Sequence, residues 1–233
     1  MTTDIVVGFD GSTGAGCAVD WAAHEADIQG VGLRVVTAEP WVPLSYGAAG
    51  AGAVPPKGNH HADSIVAGGR LRASKVLDDS RLESAVIPGY APVALVRESG
   101  AAALVVVGHR EHVRIREYAT GSVALAVAMH SRCDVVVVPP GDTVLVGPDR
   151  PVVVWVDGSD GASLAAGRAA QIASERGAVL ILAEAPVLVD TCRGAGLLVV
   201  GSRSLGGFRR LVVGSASRAA VHRANIPTLV VRG

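Results

Sequence analysis

No apolar stretch in this 233-residue chain approaches the roughly 18 uncharged residues of a membrane-spanning helix; the longest, around Ala101–Gly108 and Gly194–Gly201, stop far short. Neither charge sign is in excess. Lys and Arg number 21 against 21 Asp and Glu, with no long block of either, so there is no electrostatic footprint for a nucleic-acid backbone or an anionic membrane. The opening Met-Thr-Thr-Asp-Ile-Val-Val-Gly has no basic segment ahead of an apolar core and cleavage site, and a cytoplasmic location is expected. Cysteine is scarce: Cys17, Cys133 and Cys192 lie far apart, without a CxxC pair or a nearby His at ligand spacing. That argues against a disulfide framework or a zinc site, and buried free thiols are expected. There is no G-x-S-x-G elbow and no G-x4-G-K-[ST] phosphate loop, and the histidines, His60, His61, His109, His112, His130 and His222 among them, have no evident nucleophile partner in a recognisable motif.

What the chain does have is apolar content, 49% with a mean hydropathy of +0.40, and length enough to bury a core without disulfides. It also has an internal repeat. Ile5-Val6-Val7-Gly8-Phe9-Asp10-Gly11-Ser12 returns, 147 residues later, as Val152-Val153-Val154-Trp155-Val156-Asp157-Gly158-Ser159. Val105-Val106-Val107-Gly108 followed by Gly121-Ser122 returns as Leu198-Val199-Val200-Gly201 followed by Gly214-Ser215, now offset by only 93 residues. In both units the second glycine stands 13 positions after the first, so the 54-residue shortfall lies between the first and second landmarks of unit two. Two units are expected, at 1–140 and 151–233, with a Pro/Gly/Asp-rich linker at 141–150.

In unit one, β-branched runs predict strands at Ile5–Phe9, Leu33–Thr37, Glu83–Ile87, Ala103–Val107 and Asp134–Val138. Helices are predicted at Ala15–Gln29, about Ala62–Leu77, Pro92–Ser99 and from Gly121 to about His130. Unit two repeats the first strand, helix and second strand (Val179–Ala183), then passes almost directly through Pro186–Val189 to its fourth strand, without one helix and one strand. Short apolar strands alternating with helices imply α/β architecture: two doubly wound parallel-sheet units, the second shortened by a helix and an edge strand. The final strands, Asp134–Val138 and Thr228–Val231, are expected at sheet edges, where the two units can pair within one chain. Segment Pro43–Pro56, low in complexity, is expected to be a loop.

In an open parallel sheet, ligands settle beyond the carboxyl ends of the strands. Asp10 and Asp157 each follow an apolar run and precede Gly-Ser, so each carboxylate would sit at such an end and could accept hydrogen bonds from a ribose or a base. An Asx turn or a helix N-cap explains the same Asp-Gly-Ser equally well. Gly121-Ser122 and Gly214-Ser215 open helices, whose free N–H groups and dipole suit a phosphate, and ordinary helix initiation explains them too. The intervening loops carry Arg110, Arg114 and Arg116 in unit one and Arg203, Arg209 and Arg210 in unit two. With 19 Arg against two Lys, however, Arg is simply the usual cation of this chain.

The pattern Gly-x2-Gly-x9-Gly-Ser/Thr after an apolar strand, preceded by a first strand ending in Asp-Gly-Ser, resembles the universal stress protein family. Unit two is especially close, through Val199-Val200-Gly201-Ser202-Arg203-Ser204-Leu205-Gly206-Gly207-Phe208-Arg209-Arg210-Leu211-Val212-Val213-Gly214-Ser215. The likeness covers both units in the tandem layout common in actinobacteria. It implies strand order 3-2-1-4-5, a Rossmann-like sheet in which the strand missing from unit two would be an edge strand. It also implies an adenine nucleotide, ATP or AMP, with magnesium accompanying ATP. By that resemblance Asp10 would meet the nucleoside, the backbone around Val36 and Thr37 would line the base pocket, and Gly108, Gly121 and Ser122 would cradle phosphates. In unit two these roles would fall to Asp157, Gly201, Gly214 and Ser215, with Ser204 and Ser217 as further donors. The pattern's second glycine is Glu111 in unit one, which brings negative charge toward the phosphates, and the smaller, neutral Ser204 in unit two.

The expectation is a regulatory stress-response protein that acts through binding, with at most slow ATP hydrolysis or autophosphorylation, no assignable catalytic residue, a homodimeric state, and an unidentified protein partner. The alternative is a nucleotide-free interaction and dimerisation module of the same fold with degenerate loops. An enzyme of the adenine-nucleotide α-hydrolase type would want Ser-Gly-Gly-x-Asp-Ser after the first strand, which Gly8-Phe9-Asp10-Gly11-Ser12 does not supply.

Overall fold

A computed structural model of the chain describes residues 5–40, 60–109, 123–141, 143–184, 188–202 and 225–233. Unit one runs β1 (Ile5–Gly8), α1 (Thr13–Gln29), β2 (Leu33–Glu39), α2 (His60–Ala73), a single 3-10 turn (Asp79–Arg81), β3 (Leu82–Pro88), α3 (Ala91–Glu98), β4 (Leu104–Gly108), α4 (Val123–His130) and β5 (Asp134–Val138). Unit two runs β6 (Val152–Trp155), α5 (Asp160–Glu175), β7 (Leu180–Ala183), α6 (Leu188–Thr191), β8 (Leu197–Gly201) and β9 (Thr228–Val231). The strands are apolar at nearly every position because both faces of the sheet are covered. Ile5, Val7, Leu33, Val35, Val152 and Val154 point into one core with α1 and α5, while Val6, Val36, Val105, Val107 and Val153 point into the other.

The first helix of each unit is built alike. Ser12 caps α1 by accepting from the Ala15 N–H at 3.3 Å, and Ser159 caps α5 from Ala162 at 3.1 Å. At the far ends Gly30 (φ 69°) and Gly177 (φ 59°) take the left-handed conformation. The next residue then folds back, with Val31 N–H donating to the Ala26 carbonyl and Ala178 N–H to Ala173.

Instead of two separate sheets, the described strands form one sheet of nine, in the order β3-β2-β1-β4-β5-β9-β8-β6-β7. Every pairing is parallel except β5·β9, which is antiparallel with Val136 opposite Leu229. The final strands do pair with each other, as expected, and therefore lie in the interior of the sheet. Unit one has the order 3-2-1-4-5, and unit two repeats it without a counterpart of β3, leaving β7 at an edge. Two smaller differences have local causes. Helix α2 stops at Ala73, after which the chain turns so that Leu77 drops into the core. A single helical turn, α6, occupies the shortened crossover of unit two.

The linker is packed: Leu145 and Val146 lie against the core, and the Gly141 carbonyl accepts from the Cys17 thiol at 3.2 Å. All three cysteines are free; Cys17 and Cys192 are buried, Cys133 only partly. Burial pushes the Cys133 and Cys192 thiols up to about 11, which leaves them unreactive near neutral pH. Among the described residues, no helix is long and apolar enough to cross a membrane.

Polar contacts reinforce the join between units. The Arg232 N–H donates to Asp134 Oδ1 at 2.8 Å, and its guanidinium reaches the Met129 and Ser131 carbonyls at the end of α4, where a cation also suits the helix dipole. Between α1 and α5, Arg176 pairs with Glu25 at 2.7 Å with both side chains largely buried. Glu25→Leu, which leaves Arg176 unpaired, is expected to cost about 2–4 kcal/mol in urea unfolding, whereas the double change Glu25→Leu/Arg176→Leu should recover most of the loss.

Candidate functional site

In each unit the sheet reverses its order of winding beside the first strand: β1 has β2 on one side and β4 on the other, and β6 has β7 and β8. A crevice at the carboxyl ends of the strands belongs at that point. Because β5 and β9 are antiparallel, the two units run in opposite directions, and their crevices open at opposite ends of the sheet.

The chain leaves β1 through Phe9 and Asp10. Phe9 N–H donates to the Val36 carbonyl at 2.8 Å, and the buried Thr37 hydroxyl donates to the Phe9 carbonyl at 2.9 Å, tying the end of β1 to β2. Val36 is buried, and its carbonyl is taken up by this bond. In unit two, Val156 N–H donates to the Ala183 carbonyl at 3.0 Å in the same way. Asp10 Oδ1 accepts from Ser12 N–H at 3.0 Å, and Asp157 Oδ1 accepts from Ser159 N–H at 3.0 Å and from its hydroxyl at 2.6 Å. Both are Asx turns, with Gly11 (φ 82°) and Gly158 (φ 77°) in the left-handed conformation the turn requires. Both aspartates are solvent-exposed just beyond the carboxyl ends of their strands, and one oxygen of each carboxylate holds the turn.

Gly108 and Gly201 end β4 and β8 and pack on the starts of α1 and α5. A methyl on Gly108 would fall 2.6 Å from the Ala15 nitrogen and closer still to the Gly14 carbonyl. On Gly201 it would fall 3.0 Å from the Gly161 Cα and closer still to its carbonyl. Each glycine thus lets a strand end touch a helix backbone. With the Ser12 and Ser159 caps, these contacts fill the first turns of α1 and α5, leaving little room there for an anion. Gly14 and Gly161 were not among the sequence candidates, although they share the 147-residue offset of the aspartates, which is the signal that marks them.

His109 follows Gly108, its N–H donating to the Val138 carbonyl at 2.8 Å. Burial pushes its imidazole below the usual range. Gly121, Ser122, Ser204, Gly214, Ser215 and Ser217, with Glu111 and the loop arginines, lie outside the described residues. Among the described residues, no group of three or more His, Cys, Asp or Glu side chains is placed to hold a metal ion. A cavity of about 410 Å³ lies away from the carboxyl ends of the strands, between α1 and α5, where Trp21, Ile28 and Ile172 meet Glu25, Arg168 and Arg176. Of its charged groups, Glu25 pairs with Arg176 and Arg168 with Asp134, and Glu175 accepts a hydrogen bond from Gln171 at 2.8 Å.

A family model described as the universal stress protein family matches residues 1–139 and 182–232. Universal stress protein Rv1996 of Mycobacterium tuberculosis is 27% identical over 307 residues, an alignment covering 98% of this chain and 94% of that protein. The alignment is longer than this chain, so the relative carries residues that this chain lacks. A universal stress protein structure from Archaeoglobus fulgidus is similar in fold, with a TM-score of 0.70 at 15% identity, covering 99% of this chain and 96% of that one. A universal stress protein solved in complex with cAMP is 27% identical, covering 58% of this chain and 95% of that one with a TM-score of 0.45.

Two outcomes follow from this geometry. Gly108→Ala and Gly201→Ala should each destabilise the protein by about 1–3 kcal/mol through overpacking, whereas Gly167→Ala, in α5 with open space around it, should stabilise it by up to about 1 kcal/mol. Urea unfolding of the three variants separates them. For His109, the folded state binds the proton less readily than the unfolded chain. Burial penalises the charged imidazole, so stability is undiminished above the ordinary histidine value of about 6.5 and is lost as pH falls below it through the lower folded-state value. The urea midpoint should therefore fall more steeply from neutral to mildly acidic pH in the native protein than in His109→Asn.

Proposed function

The chain belongs to the universal stress protein family, and from that premise we propose that it is a regulatory protein that binds an adenine nucleotide at the carboxyl ends of its strands, in one or both of the crevices marked by Asp10 and Asp157. The observation that supports this reading is the exposed aspartate at each point where the sheet reverses its winding, held in the same Asx turn in both units. A carboxylate there is an acceptor for ribose hydroxyls, and the turn fixes its direction before a ligand arrives.

We assign the phosphates to the glycine loops that carry Gly121-Ser122 and Gly214-Ser215 in sequence, because the first turns of α1 and α5 are occupied by their own caps and by Gly108 and Gly201. Magnesium, where ATP is the ligand, is then carried on phosphate oxygens. The adenine base is carried over from the family, with the strand around Val36 and Thr37 beside it. Glu111 weights the reading toward unit two, where Ser204 stands at the corresponding position. The two crevices open at opposite ends of the sheet, so no single nucleotide spans both.

A second reading is a nucleotide-free interaction module. It is favoured by the fact that Asp10, Asp157, Gly108 and Gly201 all have structural work in the fold without a ligand. Calorimetric titration of magnesium-ATP into protein stripped of co-purified nucleotide separates the two readings. The nucleotide reading expects micromolar binding that weakens about tenfold or more in Asp157→Asn, which keeps the Asx turn but loses the charge. It also expects binding in unit two to be abolished in Gly214→Val. Absence of heat, with no nucleotide bound, supports the interaction module.

A further inference from the structure

We propose that β7 is a homodimer interface, at which two copies of the chain pair antiparallel across a two-fold axis and extend the sheet. The internal repeat shows what this fold places at that edge. In unit one, β3 pairs along the outer side of β2 and α2 covers its face, and in unit two both are missing. Yet the residues beneath them remain apolar. Registers Ile5↔Leu33 and Val152↔Leu180 make Leu182 the counterpart of Val35. Val35 is fully buried, whereas Leu182 is 61% exposed. Val179, just before the strand, is 60% exposed, and Leu164 in α5 is 50% exposed where its counterpart Cys17 is buried.

The backbone is equally unfinished. The Val179 and Ala183 carbonyls accept from Val152 and Val156 on β6, so the alternation of the strand turns the N–H and C=O groups of Leu180 and Leu182 toward the free side. The sheet has two edges, β3 and β7. The β3 edge carries Glu83 and ends in Pro88, features that discourage strand addition, whereas Leu180-Ile181-Leu182-Ala183 carries neither charge nor proline.

A second copy is the occupant these features fit. The chain already joins two units of this fold by antiparallel strand pairing, at β5·β9. Pairing β7 with itself closes after two copies, whereas β7 against β3 would propagate as an open fibre. With Ile181 opposite its own symmetry mate, Leu180 of each copy faces Leu182 of the other, four backbone hydrogen bonds form, and Val179 lies against Ala183. Moving the register so that Leu182 faces itself would set Leu180 against Glu184, which disfavours it.

Sedimentation and non-reducing electrophoresis of the full chain test this. The native protein should sediment at twice 23.6 kDa at tens of micromolar, as expected for a small strand-edge interface. Leu182→Lys, at an exposed site, should keep the native circular dichroism and weaken the dimer by about a hundredfold or more, since each interface gains two lysines. Ile181→Cys should form a disulfide-linked dimer under mild oxidation, which the native cysteines do not. A native protein that stays at 23.6 kDa overturns the proposal. So does a dimer that survives Leu182→Lys and is not trapped by Ile181→Cys, which would place association on another surface.

Discussion

The antiparallel pairing of β5 with β9 is the contact on which the rest of the architecture depends. Each unit alone would expose a flat apolar edge at its last strand, an arrangement that soluble proteins avoid. Pairing the two edges removes both and brings two half-cores into one, so that Ile5, Val136, Val154 and Leu229 belong to a single apolar cluster. The direction of that pairing has further consequences. It points the two crevices to opposite ends of the sheet, it sets α1 and α5 side by side with the Arg176–Glu25 pair between them, and it moves the free edges outward to β3 and β7.

At each crevice a few residues serve folding and present a functional group together. The Asp-Gly-Ser-x-Gly sequence turns the chain, caps the helix, and brings the helix start against a glycine at the end of a neighbouring strand. What remains outward is an exposed carboxylate in a fixed direction. Pre-orientation of this kind lowers the ordering cost of binding. It also means that the same residues persist for structural reasons where binding has been lost, so their presence alone does not separate the two functional readings.

Much of the fold was legible because its signals are local. β-branched runs gave the strands, and the 147- and 93-residue offsets gave the duplication and the shortening of unit two. Pairing of the final strands followed from the edge problem. The direction of the β5·β9 join was not legible, since nothing local in Val135–Val138 or Thr228–Val231 encodes which way a partner runs. The aspartates were legible as strand-end residues, and the Asx turn weighed against ligand binding at those positions is present. The part played by Gly108 and Gly201 was not: a glycine that admits a helix backbone and one that admits a phosphate look alike until the tertiary contact with Gly14 or Gly161 is seen. Truncation of unit two was legible, but the exposed side of Leu182 was not, because exposure there is set by an absent helix rather than by the residue itself.

Hydrogen exchange of the full chain, with and without magnesium-ATP and resolved by peptide, tests most directly the claim that the nucleotide sites are the two strand-end crevices. The account predicts that nucleotide slows exchange at 9–16 or 156–163 and in the glycine loop of the same unit, while amides of β5 and β9 exchange slowly in both states. Nucleotide-dependent protection confined to the groove between α1 and α5, with both strand ends unchanged, would contradict it.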